Sequence, residues 1–421
     1  MDEFERAVRD HTRKLTHDWL RDLIERKLRE QGVEPEKAMV QALLEHALAD
    51  RLDQFEWESD GDEDRRLELT VTAEDRAEFE AFSGQLRSAV PATVSEVSAK
   101  MAKRVFRDLK AKWADQNAGE FAHHESFKLV LDAQWGEGLG YLRMLHTVSL
   151  EIGEEAWKRH RRSKTKKPTN LRSLLIRMHA RACQILGEII TLLENGFPDG
   201  ALARWRTLHE LTVVALVIEE HGEPIAARYI DHEVVEAKRA LELYSRSAAE
   251  HGQSPPKRRD ARATMEAYAA ALEKYGEDFK LEYGWAAPFI KGNLNFVALE
   301  KAAGRAALRS HYKAASYSVH AGMKGLTFRL GLLDDSVVLA GASNAGLCEP
   351  GKHAALAIVQ LDLILLGLER GRQFQRLVMQ RAVILIKDAV VRALQKADRD
   401  QRQWEAPRLT PSWSLLRNDS K

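Results

Sequence analysis

Long apolar runs are scarce in this chain of 421 residues. The two richest are Leu211–Ile218 and Ala354–Leu368. The first has less than half of the roughly 20 residues that a membrane span needs, and the second carries Gln360 and Asp362. Both read as core helices, and no membrane partner is expected. Cysteine is limited to Cys183 and Cys348, which excludes a disulfide scaffold and suits a reducing compartment. Charge of one sign is missing too: 64 Lys and Arg stand against 63 Asp and Glu, a net charge of +1. That balance argues against bulk attraction to nucleic acid or anionic lipid and leaves only local patches. The opening Met1-Asp2-Glu3-Phe4-Glu5 lacks the apolar segment of a signal peptide, so a cytoplasmic location is expected. No Gly-x-x-x-x-Gly-Lys loop with the following Ser or Thr of a phosphate-binding loop occurs, and no Gly-x-Gly-x-x-Gly follows a strand, which sets aside Walker-type NTPases and Rossmann oxidoreductases. No period of 20–50 residues repeats.

What is present is helical periodicity. A content of 44% hydrophobic and 30% charged residues fits a globular protein. Val8, Leu15, Trp19, Leu20, Leu23, Ile24 and Leu28 form one stripe among charges, and Pro35 opens a second helix. An acidic run, Trp57 to Asp64, reads as a solvated loop, and Leu67–Val71 alternates strand-fashion but is short and alone. Residues 1–118 form an N-terminal helical region, 119–402 a helical core domain, and 403–421 an extended tail. Within the core domain a helix over 124–157 meets a basic run, Lys158 to Pro168. That run is an exposed connector or a phosphate-binding loop, and the absence of interleaved aromatics weakens a single-stranded RNA reading. Thr169 or Asn170 caps a helix from Leu171 to Glu194, Asn195-Gly196 ends it, and Pro198-Asp199 starts another to about Glu220. Two long helices joined so closely must lie antiparallel. Further helices are expected at 224–250, 258–275, 293–303, 305–321, 352–370 and 372–398, with Gly252–Pro256 as a linker and a short hairpin around Asp334-Asp335. The fold class is therefore all-α, a multi-helix bundle built on a long antiparallel helical hairpin.

Chemistry concentrates in Arg204-Trp205-Arg206-Thr207-Leu208-His209-Glu210-Leu211. Arg206, His209 and Glu210 share one helix face with Val213, and ionisable groups beside a buried stripe must find partners. Counting back across the turn predicts an Arg206–Glu188 bridge and places His209 opposite Ile185. A second cluster, Ser316 to Gly322, sets Ser316 and His320 one turn apart near a helix end, where the dipole favours protonated histidine. Packing of the two helices would gather Arg204, Arg206, His209, Glu210, Ser316 and His320 at one site.

The stretch from about Trp135 to Arg370 resembles the bacterial family called domain of unknown function 5677. The matching pieces are Glu188-Ile189-Ile190, Leu192-Leu193-Glu194-Asn195-Gly196 and Ala203 to Leu211. Tyr283-Gly284-Trp285, Ala302-Ala303-Gly304, Tyr312 and Ser316 to His320 follow. The resemblance implies a helical fold similar to the HEPN group of nucleotide- and RNA-associated bundles. HEPN ribonucleases use Arg-x4–6-His, a spacing met by Arg204 to His209 and by Arg305 to His311. In that chemistry histidine moves the proton while arginine steadies phosphoryl charge. The motif is weak, because about four matches arise by chance in a chain of this composition. The analogy also implies a composite site from two copies, hence a homo-oligomer.

Other patterns carry less. Glu120-Phe121-Ala122-His123 has the Glu-x-x-His form of di-iron bundles, but a second such motif is lacking. Ser316 with His320 lacks a nucleophile elbow and an oxyanion loop. No cofactor and no metal are expected. Two functions stay open: a HEPN-like ribonuclease of toxin or anti-phage type acting on RNA, or a non-catalytic module that binds a protein partner and in which the same residues are structural.

Overall fold

The computed structural model describes residues 3–49, 55–57, 67–162, 170–248, 250–332, 338–368 and 373–405. Among them the chain forms thirteen α-helices and three short 3-10 turns, with no strand. Leu67–Val71, strand-like in pattern, is irregular. The expected hairpin at Asp334-Asp335, most of the acidic run, the end of the basic run and most of the tail lie outside the described residues.

The chain divides into two compact units, Met1–Phe121 and Ala122–Lys421. In the first, α1 (Glu3–Glu30) and α2 (Lys37–Leu48) pack together. Ile24, Leu28, Met39, Val40 and Leu44 make its small core. The helix α3 (Ala73–Arg162) begins here with a reciprocal cap. The backbone N–H of Thr72 donates to Asp75 Oδ2 at 2.8 Å, and the N–H of Asp75 donates to Thr72 Oγ1 at 3.2 Å. Two orphan amides of the first turn are satisfied that way. Lys27 and Arg26 of α1 reach the same carboxylate. α3 passes through residue 118 unbroken, Gly119 included.

The second unit contains the rest of α3 and ten further helices. In chain order these are α4 (Asn170–Glu194), α5 (Pro198–His221), α6 (Glu223–Asp231), α7 (Glu233–Ser247), α8 (Arg258–Tyr275), α9 (Phe296–Ala302), α10 (Arg309–Tyr317), α11 (Met323–Thr327), α12 (Cys348–Gly367) and α13 (Gln373–Glu405). α4, α5 and α12 pack on one another, and α13 packs on α12. Their apolar faces meet the α3 residues Trp135, Leu139 and Leu142 in one core. Leu394 of α13 sits where a Cβ on Gly138 or Gly351 would lie 2.5 or 2.6 Å from its methyls, so those glycines let the helices close in.

The link between α4 and α5 follows from its residues. Gly196 takes φ 74°, its N–H donates to Leu193 O, and the N–H of Phe197 donates to Leu192 O. This is a Schellman ending, which a left-handed glycine permits. Pro198 then occupies the first turn of α5, where no amide is needed. At the other end of α4 the cap differs from expectation. Glu223 of α6 accepts from the backbone N–H groups of Asn170 and Leu171 at 2.8 and 3.0 Å. A carboxylate from a neighbouring helix thus satisfies the first turn and complements its dipole. The single helix expected over 224–250 is two, α6 and α7, parted at His232. Among the described residues no helix is long and apolar enough to cross a membrane.

Candidate functional site

The polar face of α5 meets α9 and α10. Asn295 caps α9 by accepting from the Ala298 N–H at 3.0 Å. This places Glu300 beneath α5. His209 and Glu300 are both fully enclosed, with His209 Nε2 3.0 Å from Glu300 Oε1. The second carboxylate oxygen accepts from Arg309 Nη1 at 3.0 Å. A buried carboxylate needs such partners on both oxygens. Burial pushes the His209 pKa down, and the pull of Glu300 only partly opposes it. The neutral ring is favoured, with Nε2–H donating to Glu300. Trp205, Phe296 and Tyr312 pack against the imidazole with ring centroids 5.3–6.0 Å away. His209 is thus a fixed donor in a dry interior.

Nearer the surface, Arg206 organises a second group. Its Nη2 donates to the Tyr312 hydroxyl at 2.6 Å and lies 3.1 Å from Glu210 Oε1. Its Nε donates to Ser316 Oγ at 3.1 Å, and its guanidinium stands 4.7 Å over the Tyr312 ring. The Tyr312 hydroxyl donates to Glu210. Burial first, then the Glu210 carboxylate, pushes the Tyr312 pKa well above the usual phenol value. Tyr283 is raised to about 12, mainly by burial and then by Glu282. These phenols act as hydrogen-bond donors and not as bases. Tyr283 also lines a cleft of about 1020 Å3 with Arg177, Glu236, Arg239 and Glu282.

The sequence-derived residues therefore part company. Arg206, Glu210 and Ser316 come together, and His209 lies inward of them. Arg204 instead bridges Glu188 at 2.5 Å, so the bridge expected from Arg206 belongs to its neighbour but one. The cross-helix pairing centres on Gly196, because the Schellman turn is tighter than the counting assumed. His320 does not join the group. α10 stops at Tyr317, and His320 is exposed, its side chain in none of the described hydrogen bonds or ion pairs. The long helix expected over 305–321 is shorter at both ends: a 3-10 turn takes Ala306–Leu308, and α10 ends on Ser316-Tyr317-Ser318, poor helix formers.

Glu300 and Arg309 were not singled out from the sequence, since neither shares a helix face with α5. Two further constellations went unread. Ser149, His179, Cys183 and Asp362 form a wholly buried row: Ser149 Oγ donates to Asp362 Oδ2 at 2.8 Å, and His179 Nε2 lies 2.8 Å from Asp362 Oδ1. Cys183 Sγ is 3.6 Å from His179 Nδ1. Burial pushes its thiol up to about 12, which leaves it inert as a nucleophile. The other constellation is His311, Glu349 and His353, close enough to share a metal ion. Its signal was the Glu349-x-x-x-His353 spacing on α12. Glu349 is held down to about 2, chiefly by its bond to His353, and burial lowers His311. The Glu120 and His123 side chains, the sequence's metal candidate, are exposed on α3.

No curated protein and no solved structure matches the chain. A family match exists for its middle part, which holds Glu188, the Arg204 to Glu210 run, Glu300, Tyr312 and Ser316 but stops short of α12. Residues 172–337 match the model of the family described as "Family of unknown function (DUF5677)".

Proposed function

We propose that the chain is a helical protein-binding module, in which Arg204, Arg206, His209 and Glu210 hold the fold and α3 receives the partner. One observation carries the reading. Within the first unit, residues 102–121 of α3 are exposed all round, yet Val105, Phe106, Leu109 and Trp113 form an apolar stripe there, 54–68% exposed. Ala102, Phe106, Leu109 and Trp113 recur at intervals of 4, 3 and 4, the spacing of a helix-pairing seam. Isolated exposed apolar residues are ordinary, whereas an aligned stripe with two large aromatics marks an interaction surface.

Charge selects the partner. Lys103 and Lys110 flank the stripe on one side and Lys112 on the other. A second copy laid antiparallel would set lysine against lysine, which disfavours self-pairing. An acidic amphipathic helix of another protein matches both the seam and its flanks.

The ribonuclease reading, toxin or anti-phage, would need His209 at an RNA phosphodiester. Its ring is 2% exposed with Nε2 on Glu300, and His320 stands apart from the Arg206 group. The geometry therefore favours the structural role for these residues.

The test is fluorescence anisotropy with labelled helical peptides that carry Leu at the seam and either Glu or Lys on the flanks, beside a single-stranded RNA. The acidic peptide should bind, and Phe106→Glu with Trp113→Glu should weaken it by at least about tenfold, or 1.4 kcal/mol. Melting temperature should stay unchanged. Equal binding by the double variant, or tighter binding of the basic peptide or RNA, overturns the reading.

A further inference from the structure

His311 is the third residue of α10, and Glu349 and His353 lie one turn apart at the start of α12. Their side chains converge. Glu349 Oε2 lies 3.1 Å from His353 Nε2 and 3.6 Å from His311 Nδ1. One donor atom from each residue falls within 4.8 Å of the other two. Around a tetrahedral zinc ion with bonds of about 2.0–2.1 Å, donors stand about 3.3 Å apart. The two spacings from Glu349 Oε2, 3.1 and 3.6 Å, lie close to that value. Two imidazoles and one carboxylate are also a donor set that first-row divalent ions prefer and that magnesium and calcium do not.

The surroundings hold these groups in place. Lys352 Nζ lies 2.5 Å from Glu349 Oε1, which occupies one carboxylate oxygen and leaves Oε2, the atom that both imidazoles approach. The Trp205 ring packs against His353 at 4.9 Å, and His353 is 4% exposed. His311 is 43% exposed, so the cluster opens to solvent on one side.

We propose that His311, Glu349 and His353 bind one divalent transition-metal ion of the zinc type, through three protein donors and a fourth position left to solvent. Three protein ligands plus an exchangeable position is the arrangement of reactive zinc sites, in contrast to the closed four-ligand structural kind. The site joins α10 to α12, and metal binding would therefore tie the segment that carries Tyr312 and Ser316 to the core helices. Lys352 places a cation beside the site, and its removal should strengthen binding. The assignment is independent of the α3 stripe, which lies in the other unit.

The experiment is titration of the full chain with Co2+, followed by competition with Zn2+. One equivalent should give the visible bands of tetrahedral cobalt, which zinc abolishes. His311→Ala is chosen because that ring is half-exposed, and Glu349→Gln because it keeps the side-chain volume. Each should lower affinity by at least about 100-fold, since loss of a direct ligand exceeds the 10–100-fold effect of an outer partner. Zinc should raise the melting temperature of the wild type and leave Glu349→Gln unmoved. Absence of equimolar binding, or bands that survive in His311→Ala, overturns the proposal. Loss of the bands in Cys348→Ser overturns it as well, by placing the ion on the thiol.

Discussion

The imidazole Nε2 of His209 and the carboxylate Oε1 of Glu300 stand 3.0 Å apart with neither side chain reaching solvent. Ninety-one residues of chain separate them, so the contact fastens α9 beneath α5. Truncation of the histidine leaves Glu300 with Arg309 alone, in a site built for two donors. His209→Ala should lower the unfolding free energy by about 3–5 kcal/mol, the range for one partner removed from a buried pair. Urea denaturation at pH 7.5 measures it. A loss below about 1 kcal/mol, within the scatter of surface substitutions, would mean that the pair contributes little.

The same histidine sets a pH dependence. Burial is the largest cause of the lowered pKa of His209, and also of His232, whose Nε2 meets Leu281 O at 3.0 Å. Both rings have folded values below 6.5, so around and below that pH the unfolded chain binds more protons than the folded one. Stability is then full above about pH 6.5 and falls as pH drops through the folded values. Denaturation midpoints taken from pH 8 to pH 5 should decline, and His209→Gln should flatten part of the slope. An unchanged slope in that variant would leave His232 and the remaining titrating groups to account for the decline.

Helix positions were legible in the sequence wherever the chain is long, periodic and punctuated. Asn195-Gly196 and Pro198 fixed the link between α4 and α5, because glycine and proline state their backbone needs locally. The partners of the polar residues were not legible. Arg204 and not Arg206 bridges Glu188, a shift that depends on how tightly Leu192 to Phe197 close, and no side-chain pattern reports that. His209 looked like an edge residue because its counterpart, Glu300, comes from a seven-residue helix whose period is too short to read. His320 was misplaced for the converse reason: Ser316 and His320 share a helical spacing, but the helix between them ends at Tyr317. Helical periodicity says which face is buried and leaves open what covers it.

Gly196 tests the link directly. With φ at 74°, a side chain would be strained, and an added Cβ would lie 2.6 Å from Phe127 Cζ and 2.8 Å from the Ser343 carbonyl oxygen. The Ser343 N–H in turn donates to Gly196 O at 2.9 Å. Gly196→Ala should therefore cost more than the usual 1 kcal/mol of a left-handed glycine, about 2–3 kcal/mol in all. Gly304, which ends α9 with the same pair of bonds at φ 66° and has nothing within 4 Å of its Cβ direction, serves as the comparison. Gly304→Ala should show the conformational cost alone, and equal losses at the two positions would remove the steric part of the argument.

Cys183, His179 and Asp362 line up as a nucleophile, a base and an orienting acid would, yet the thiol is 2% exposed. Burial, followed by the nearby Asp362 charge, raises it to about 12, and burial raises Cys348 to the same value. At pH 8 a thiol of that kind has only about one part in 10,000 as thiolate, the species that attacks a disulfide reagent. Both cysteines should therefore stay silent toward an aromatic disulfide in the native protein and react together in denaturant. Their native rate should follow global opening, and destabilising Gly196→Ala should raise it in proportion to the unfolded fraction. Reaction of Cys183 in the intact wild type at the speed of free cysteine would contradict the burial, and would make the Cys183–His179–Asp362 row a site with solvent access.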